Sequence, residues 1–200
     1  ICTPFFKTLT EKDFQSGLGE VVKFNVMFGE KGIRNIEDNI DELLKRDDDK
    51  LLQFVNSSLL FKKDFIEEDE FDRGVRIHLN FAHTFGHAFE TMSHYEIPHG
   101  TAVAMGTIVA NRISLSRGWL DEEKVLRVEN VLWKIIHINT LHIQVSMDDI
   151  ISAIHKVGKE LTAVLMKDDM KLQIVHDVQR EEIENAINYL FDKLTDEKEL

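Results

Sequence analysis

Apolar residues along the chain recur mainly at intervals of three and four, the spacing that lines one face of a helix. Phe14, Leu18, Val21 and Val22 mark the first such face, and Thr10 precedes it as a cap, with Glu11 and Asp13 in the opening turn. The same periodicity predicts helices over Ile36 to Lys45, Lys50 to Glu67, Leu79 to Tyr95, Gly100 to Arg117 and Asp121 to Ile138, then over Asp148 to Val157 and Arg180 to Leu194. One stretch breaks the pattern. Leu161 to Met166 and Lys171 to Val178 alternate on either side of Lys167-Asp168-Asp169, which predicts a β-hairpin. The expected fold class is mainly α, a multihelical domain with a small β-hairpin near the C-terminus.

Composition narrows the setting. A chain of 200 residues with 43% hydrophobic content can bury one good-sized core, so disorder is not the reading. The net charge of −12, with no basic stripe, argues against a nucleic-acid partner. Cys2 is the only cysteine, which excludes an internal disulfide framework and a cysteine zinc cluster and suits a reducing compartment. The longest apolar-rich run, Ala102 to Val109, is interrupted by Gly106 and Thr107 and is far short of a membrane span. The expectation is a soluble, cytoplasmic protein with no membrane partner. No signal peptide is visible, although a chain opening on Ile1 rather than methionine leaves its natural start open.

Nothing here supplies a dinucleotide site. Such a site needs glycine-rich turns between strand and helix, and the nearest match, Gly17-x-Gly19, lies inside a helix with Val22 where a third glycine belongs. Any nucleotide must be held by another segment. The charge runs Arg46 to Lys50 and Glu67 to Asp72 read as solvated helix ends or loops.

The informative region runs from Arg76 through Asn80, His83, His87 and Glu90 to Pro98-His99-Gly100. Residues four apart share a helix face, so His83 and His87 project into the same space, and His99 arrives from the start of the next helix. Spacing alone groups His83 and His87 on one ion. Imidazole nitrogen with carboxylate oxygen suits a borderline cation such as zinc, and a catalytic site leaves a coordination position open. An isolated i,i+4 histidine pair is more often a surface or packing feature; it is the clustering that changes the reading. His78 and His94 share neither face nor spacing and read as structural or solvated. Glu20 is the candidate carboxylate, because Gly17 and Gly19 flank it in an otherwise apolar helix. Each glycine costs about 1 kcal/mol there relative to alanine, which points to close backbone approach.

These residues carry a resemblance. Ser16-Gly-Leu-Gly-Glu20-Val-Val-Lys23, Lys62, Gly74-Val-Arg76, Leu79-Asn80, His83-Thr-Phe-Gly-His87-Ala and His99-Gly100 are similar, in order, to the 3-dehydroquinate synthase family, from about Ile1 to Gly118 and more weakly to the hairpin. The resemblance implies the helical, metal-binding C-terminal half of a two-domain enzyme whose N-terminal NAD-binding α/β half is absent from this chain. It implies Glu20, His83 and His99 as ligands of a divalent metal, zinc or cobalt. His87 becomes a substrate-contacting, proton-transferring residue instead of a ligand, and Lys23, Lys62, Arg76 and Asn80 surround a small anionic phosphorylated substrate. The implied chemistry is oxidation, loss of phosphate, reduction and aldol closure, with NAD regenerated in each cycle of this shikimate-route reaction. A homodimer is implied for the full-length protein.

The pattern departs from the family at Asp72, where glutamate is common, at Ala82, where glycine is usual, and at Thr101, where glutamate usually follows His99-Gly100. The Asp-Lys-Lys motif expected before the hairpin is not intact, and Lys159 is its counterpart only by position. Arg76 and Asn80 favour a carboxylate-bearing substrate over those of related sugar-phosphate cyclases. A metal-dependent polyol dehydrogenase and a non-catalytic metal-binding module are the rival readings.

Overall fold

The computed structural model describes residues 1–71, 73–137, 147–155, 161–167 and 171–196. Among these, eight α-helices and one antiparallel strand pair follow in order: α1 (Glu11–Met27), α2 (Glu30–Leu44), α3 (Asp48–Glu68), α4 (His83–Met92), α5 (His99–Ser116), α6 (Glu122–Trp133), α7 (Met147–His155), β1 (Ala163–Lys167), β2 (Lys171–Val175) and α8 (Arg180–Asp196). Three helix starts follow side-chain caps. Thr10 Oγ1 accepts from the Asp13 N–H at 3.1 Å, and Asp47 and Asp121 open α3 and α6 in the same way.

The centre of the molecule is α5. From Gly100 to Ala110 its sequence is apolar or small on every side, the signature of a helix with no solvent face, and Ala102, Val103, Ala104, Met105, Ile108, Val109, Ala110 and Ile113 are fully buried. Helices α1, α4, α6 and α8 and strand β1 pack around it. Full burial of each larger aliphatic side chain contributes about 1.5–3 kcal/mol. The strands pair from Ala163 opposite Val175 to Lys167 opposite Lys171. β1 is buried over Ala163 to Met166 against α5, while β2 is partly exposed and forms the outer strand.

Two glycine contacts set how closely the site-bearing helices approach α5. A Cβ on Gly19 would lie 2.0 Å from the Gly100 carbonyl oxygen, so α1 and α5 meet backbone to backbone. A Cβ on Gly106 would lie 2.3 Å from the carbonyl oxygen of Ala82, which brings the start of α4 equally close. Gly17 behaves differently from expectation, with no atom within 4 Å of where its Cβ would be. Of the two glycines flanking Glu20, only Gly19 marks a close approach.

The expected helix from Leu79 to Tyr95 is corrected by the structure. Val75–Asn80 is a 3-10 helix, and α4 begins only at His83. The break lies at Ala82, which adopts a left-handed backbone with φ +70° and ends one helical run before the next starts. Helix α2 starts six residues earlier than expected, at Glu30, because Gly29 at φ +74° turns the chain and Ile33 joins Ile36 and Ile40 on the buried face. A further 3-10 helix, Thr3–Thr8, opens the chain with Pro4 in its first turn. Asp72, Ile138, Val157, Lys159 and the hairpin residues Asp168 and Asp169 lie outside the described residues.

Candidate metal centre and anion cleft

The two glycine contacts carry the site. Glu20 follows Gly19 in α1, His99 precedes Gly100 at the first turn of α5, and His83 opens α4 directly after Ala82. His83 Nε2 lies 3.1 Å from Glu20 Oε1, and His99 Nε2 lies 3.3 Å from the same oxygen. One ligand atom from each of the three residues falls within 4.8 Å of the others. The donor set is two imidazoles and one carboxylate, which fits a borderline divalent cation with a position left for another ligand.

The protonation chemistry fits as well. Burial alone would raise the Glu20 carboxyl, but the His83 hydrogen bond and the Lys23 charge outweigh it and hold the group at about 2. Burial lowers the His83 imidazole, against the pull of Glu20 and with help from the Lys23 charge, so its neutral, metal-binding form is favoured. Lys23 is 1% exposed; its ammonium sits 2.9 Å from Glu20 Oε2 and donates to the Leu79 carbonyl at 3.2 Å. Burial lowers Lys23, Glu20 counters that, and the charge of Lys62 adds to the lowering.

A cleft of about 370 Å³ opens beside the triad and is lined by Glu20, Lys23, Phe24, Lys62, Arg76, Leu79, Asn80, His83 and His99. It brings together seven of the eight residues expected from sequence. Lys62 reaches it from α3, and Arg76 and Asn80 from the 3-10 helix between α3 and α4. His87 stands on the rim instead: its side chain is 61% exposed and its ring stacks on His83 with centroids 5.2 Å apart. The i,i+4 pairing of His83 and His87 is therefore real as ring stacking, but Glu20 draws in His99 as the other imidazole. His78 Nδ1 donates to the Val75 carbonyl, 2.8 Å away, and His94 is exposed, so neither joins the site.

Two carboxylates were missed by sequence reasoning. Glu90 in α4 lies between His87 and His99, with Oε2 2.6 Å from His87 Nδ1 and Oε1 3.1 Å from His99 Nδ1. Its position three residues after His87 was the available signal. Asp69, at the end of α3, accepts from the backbone N–H groups of Arg73, Gly74 and Arg76 and folds the loop that presents Arg76 to the cleft. The Arg76 guanidinium also donates to the Glu70 carbonyl at 2.9 Å.

Fold and site together define a helical domain with a candidate divalent-cation centre set in a cationic cleft. Residues 17–160 match the family model for the 3-dehydroquinate synthase C-terminal domain, and the chain belongs to that family. It is 38% identical over 190 residues to 3-dehydroquinate synthase from Clostridium tetani, covering 94% of this chain and 51% of that protein. It is 40% identical over 131 residues to the chloroplastic 3-dehydroquinate synthase of Arabidopsis thaliana, covering 65% of this chain and 30% of that protein. The chain thus spans about half the length, or less, of these curated relatives. Among solved structures, 2-epi-5-epi-valiolone synthase from Streptomyces hygroscopicus, with NAD+ and Zn2+ bound, superposes with a TM-score of 0.80 at 22% identity, over 96% of this chain and 54% of that one. A 2-deoxy-scyllo-inosose synthase complexed with carbaglucose-6-phosphate, NAD+ and Co2+ superposes with a TM-score of 0.70 at 22% identity, over 90% of this chain and 53% of that one. These structures establish the shared fold. No helix among the described residues is long and apolar enough to cross a membrane.

Proposed function

We propose that this chain is the metal- and substrate-binding half of a 3-dehydroquinate synthase. With an NAD-binding half it converts 3-deoxy-arabino-heptulosonate 7-phosphate to 3-dehydroquinate and phosphate in the cytoplasm. The observation that carries this reading is the convergence of His83 Nε2 and His99 Nε2 on one oxygen of Glu20, in the wall of a cleft that also holds Lys62 and Arg76. Zinc or cobalt held by Glu20, His83 and His99 would supply Lewis-acid polarisation of substrate oxygens.

The chain's own residues do the rest. Arg76 offers paired N–H donors that match a carboxylate, Lys62 adds a compact positive charge for carboxylate or phosphate, and Asn80 offers an amide to a hydroxyl. Their concentration in one cleft is what an acidic protein needs to accept a multiply charged anion. Lys23, lowered by burial and placed between Glu20 and His83, is suited to exchange a proton beside the metal ligands. His87, exposed on the rim, serves proton transfer with substrate. The pyrophosphate of NAD falls to another segment, because the described residues contain no glycine-rich turn from strand to helix.

Phosphate release by the full-length protein, with NAD and metal, tests the reading. 3-Deoxy-arabino-heptulosonate 7-phosphate should be cyclised in preference to sedoheptulose 7-phosphate or glucose 6-phosphate, and residues 1–200 alone should release none. Arg76→Ala should keep its metal while losing about 1.5–3 kcal/mol of substrate binding, the worth of a charge-assisted hydrogen bond. Faster release from either carboxylate-free sugar would move the assignment to a related cyclase. Hydride transfer without phosphate release would move it to a polyol dehydrogenase.

A further inference from the structure

Glu90 is a buried acid for which the proposed reaction has no use. Its side chain is 12% exposed, and removing a carboxylate from water is costly unless hydrogen-bond donors replace the solvent. Here the donors are two imidazoles, one on each oxygen: His87 Nδ1 at 2.6 Å and His99 Nδ1 at 3.1 Å. A carboxylate accepts, so each neutral ring carries its proton on Nδ1 and is left with a lone pair on Nε2. For His99 that Nε2 is the atom facing Glu20 Oε1. A lone pair directed at a carboxylate oxygen is repulsive unless a cation lies between them.

We propose that Glu90 is a positioning residue that fixes the tautomer and ring orientation of His99 and His87 together. It rests on the reading of Glu20, His83 and His99 as a metal centre. Through His99, Glu90 presents a lone pair to the ion; through His87, it presents a proton-accepting nitrogen at the cleft rim. A single carboxylate thereby ties a ligand on α5 to a proton-transfer residue on α4, across the loop from Ser93 to Pro98. Ser93 secures that loop: its hydroxyl donates to the Glu90 carbonyl at 3.0 Å and accepts from the Ile97 N–H at 3.2 Å.

The test is a cobalt(II) titration of the full-length protein at about pH 8, above the ordinary imidazole pKa of about 6.5. Wild type, Glu90→Gln and His99→Ala are compared by affinity, stoichiometry and visible cobalt absorption, with circular dichroism to check folding. Glu90→Gln can accept from one imidazole but not from both, so it should raise the cobalt Kd about 10–100-fold and shift the absorption band while the helical signal stays unchanged. Imidazole 15N shifts of the metal-free wild type should report the Nδ1–H tautomer at His87 and His99, a readout that holds even if the variant misfolds. An Nε2–H tautomer at either ring overturns the proposal, as does a Glu90→Gln Kd within about twofold of wild type with an unchanged band. His87, Glu90 and His99 are also close enough to chelate an ion themselves. Two ions in wild type falling to one in Glu90→Gln would make Glu90 a ligand and overturn the positioning role. If His99→Ala binds cobalt as wild type does, the metal centre itself falls, and this proposal with it.

Discussion

Towards the C-terminal half of α5, Arg112 donates through Nε and Nη2 to the two oxygens of Glu129, at 2.6 and 2.5 Å, and the Tyr189 hydroxyl donates to Glu129 at 2.8 Å. At the N-terminus of the same helix, two imidazole nitrogens face one oxygen of Glu20. Both clusters bury charge, with Glu129 at 2% exposure and Lys23 at 1%. The first is closed: each oxygen has its donor, the guanidinium stacks on the Tyr189 ring at 3.5 Å, and burial with the Glu129 hydrogen bond pushes the Tyr189 hydroxyl up to about 12. The second is built otherwise: two imidazole nitrogens and the Lys23 ammonium converge on one carboxylate in the wall of the cleft. Burial of charge therefore does not distinguish a structural network from a functional one. What distinguishes them is the donor set, a guanidinium and a hydroxyl in one and imidazoles in the other, and whether the cluster faces a cleft.

Breaking the closed cluster should have the largest effect. Arg112→Ala leaves the Glu129 carboxylate buried without its cation, which should cost about 3–5 kcal/mol in denaturant unfolding. Cobalt affinity of the folded protein should not change. His99→Ala should act mainly on the metal. Its side chain is 46% exposed but donates to the buried Glu90, so stability should fall by about 1–3 kcal/mol, less than for Arg112→Ala. Cobalt binding should weaken by at least about 100-fold, more than loss of a ligand's hydrogen-bond partner costs. A loss of stability in His99→Ala as large as in Arg112→Ala, or of metal in Arg112→Ala, would blur the division between the two ends.

A smaller effect sharpens it. Gly19→Ala forces a Cβ against the backbone of Gly100 and should destabilise by about 1–3 kcal/mol, as overpacking does. Because Glu20 and His99 adjoin this contact, cobalt affinity should fall as well. Gly17→Ala is the control. With open space at its Cβ, it should gain up to about 1 kcal/mol from helix propensity and leave metal binding unchanged.

Much of this was legible in the chain. The apolar spacing and the Thr10 cap placed α1, and alternation placed the hairpin. The ordered motif from Ser16 to Gly100 brought seven of its residues to one cleft. The helix break before His83 was not legible, because alanine at position 82 carries none of the turn chemistry of glycine or asparagine, and a left-handed alanine is a tertiary outcome. Glu90 was half legible. Its i,i+3 relation to His87 is local, but its bond to His99 depends on a loop with left-handed residues at His94 and Tyr95 that no periodicity describes. Asp69 escaped because its partners are backbone N–H groups, to which side-chain patterns are blind.

The backbone contact between Gly19 and Gly100 has one more consequence. Each glycine is the immediate chain neighbour of a donor residue, so the backbone separation between Glu20 and His99 is gauged by how tightly two main chains nest. That nesting sets the span that any ion shared by Glu20 and His99 would have to fit. Bulk added anywhere along the seam of α1 and α5 should first alter which ion is preferred, well before the domain loses its shape.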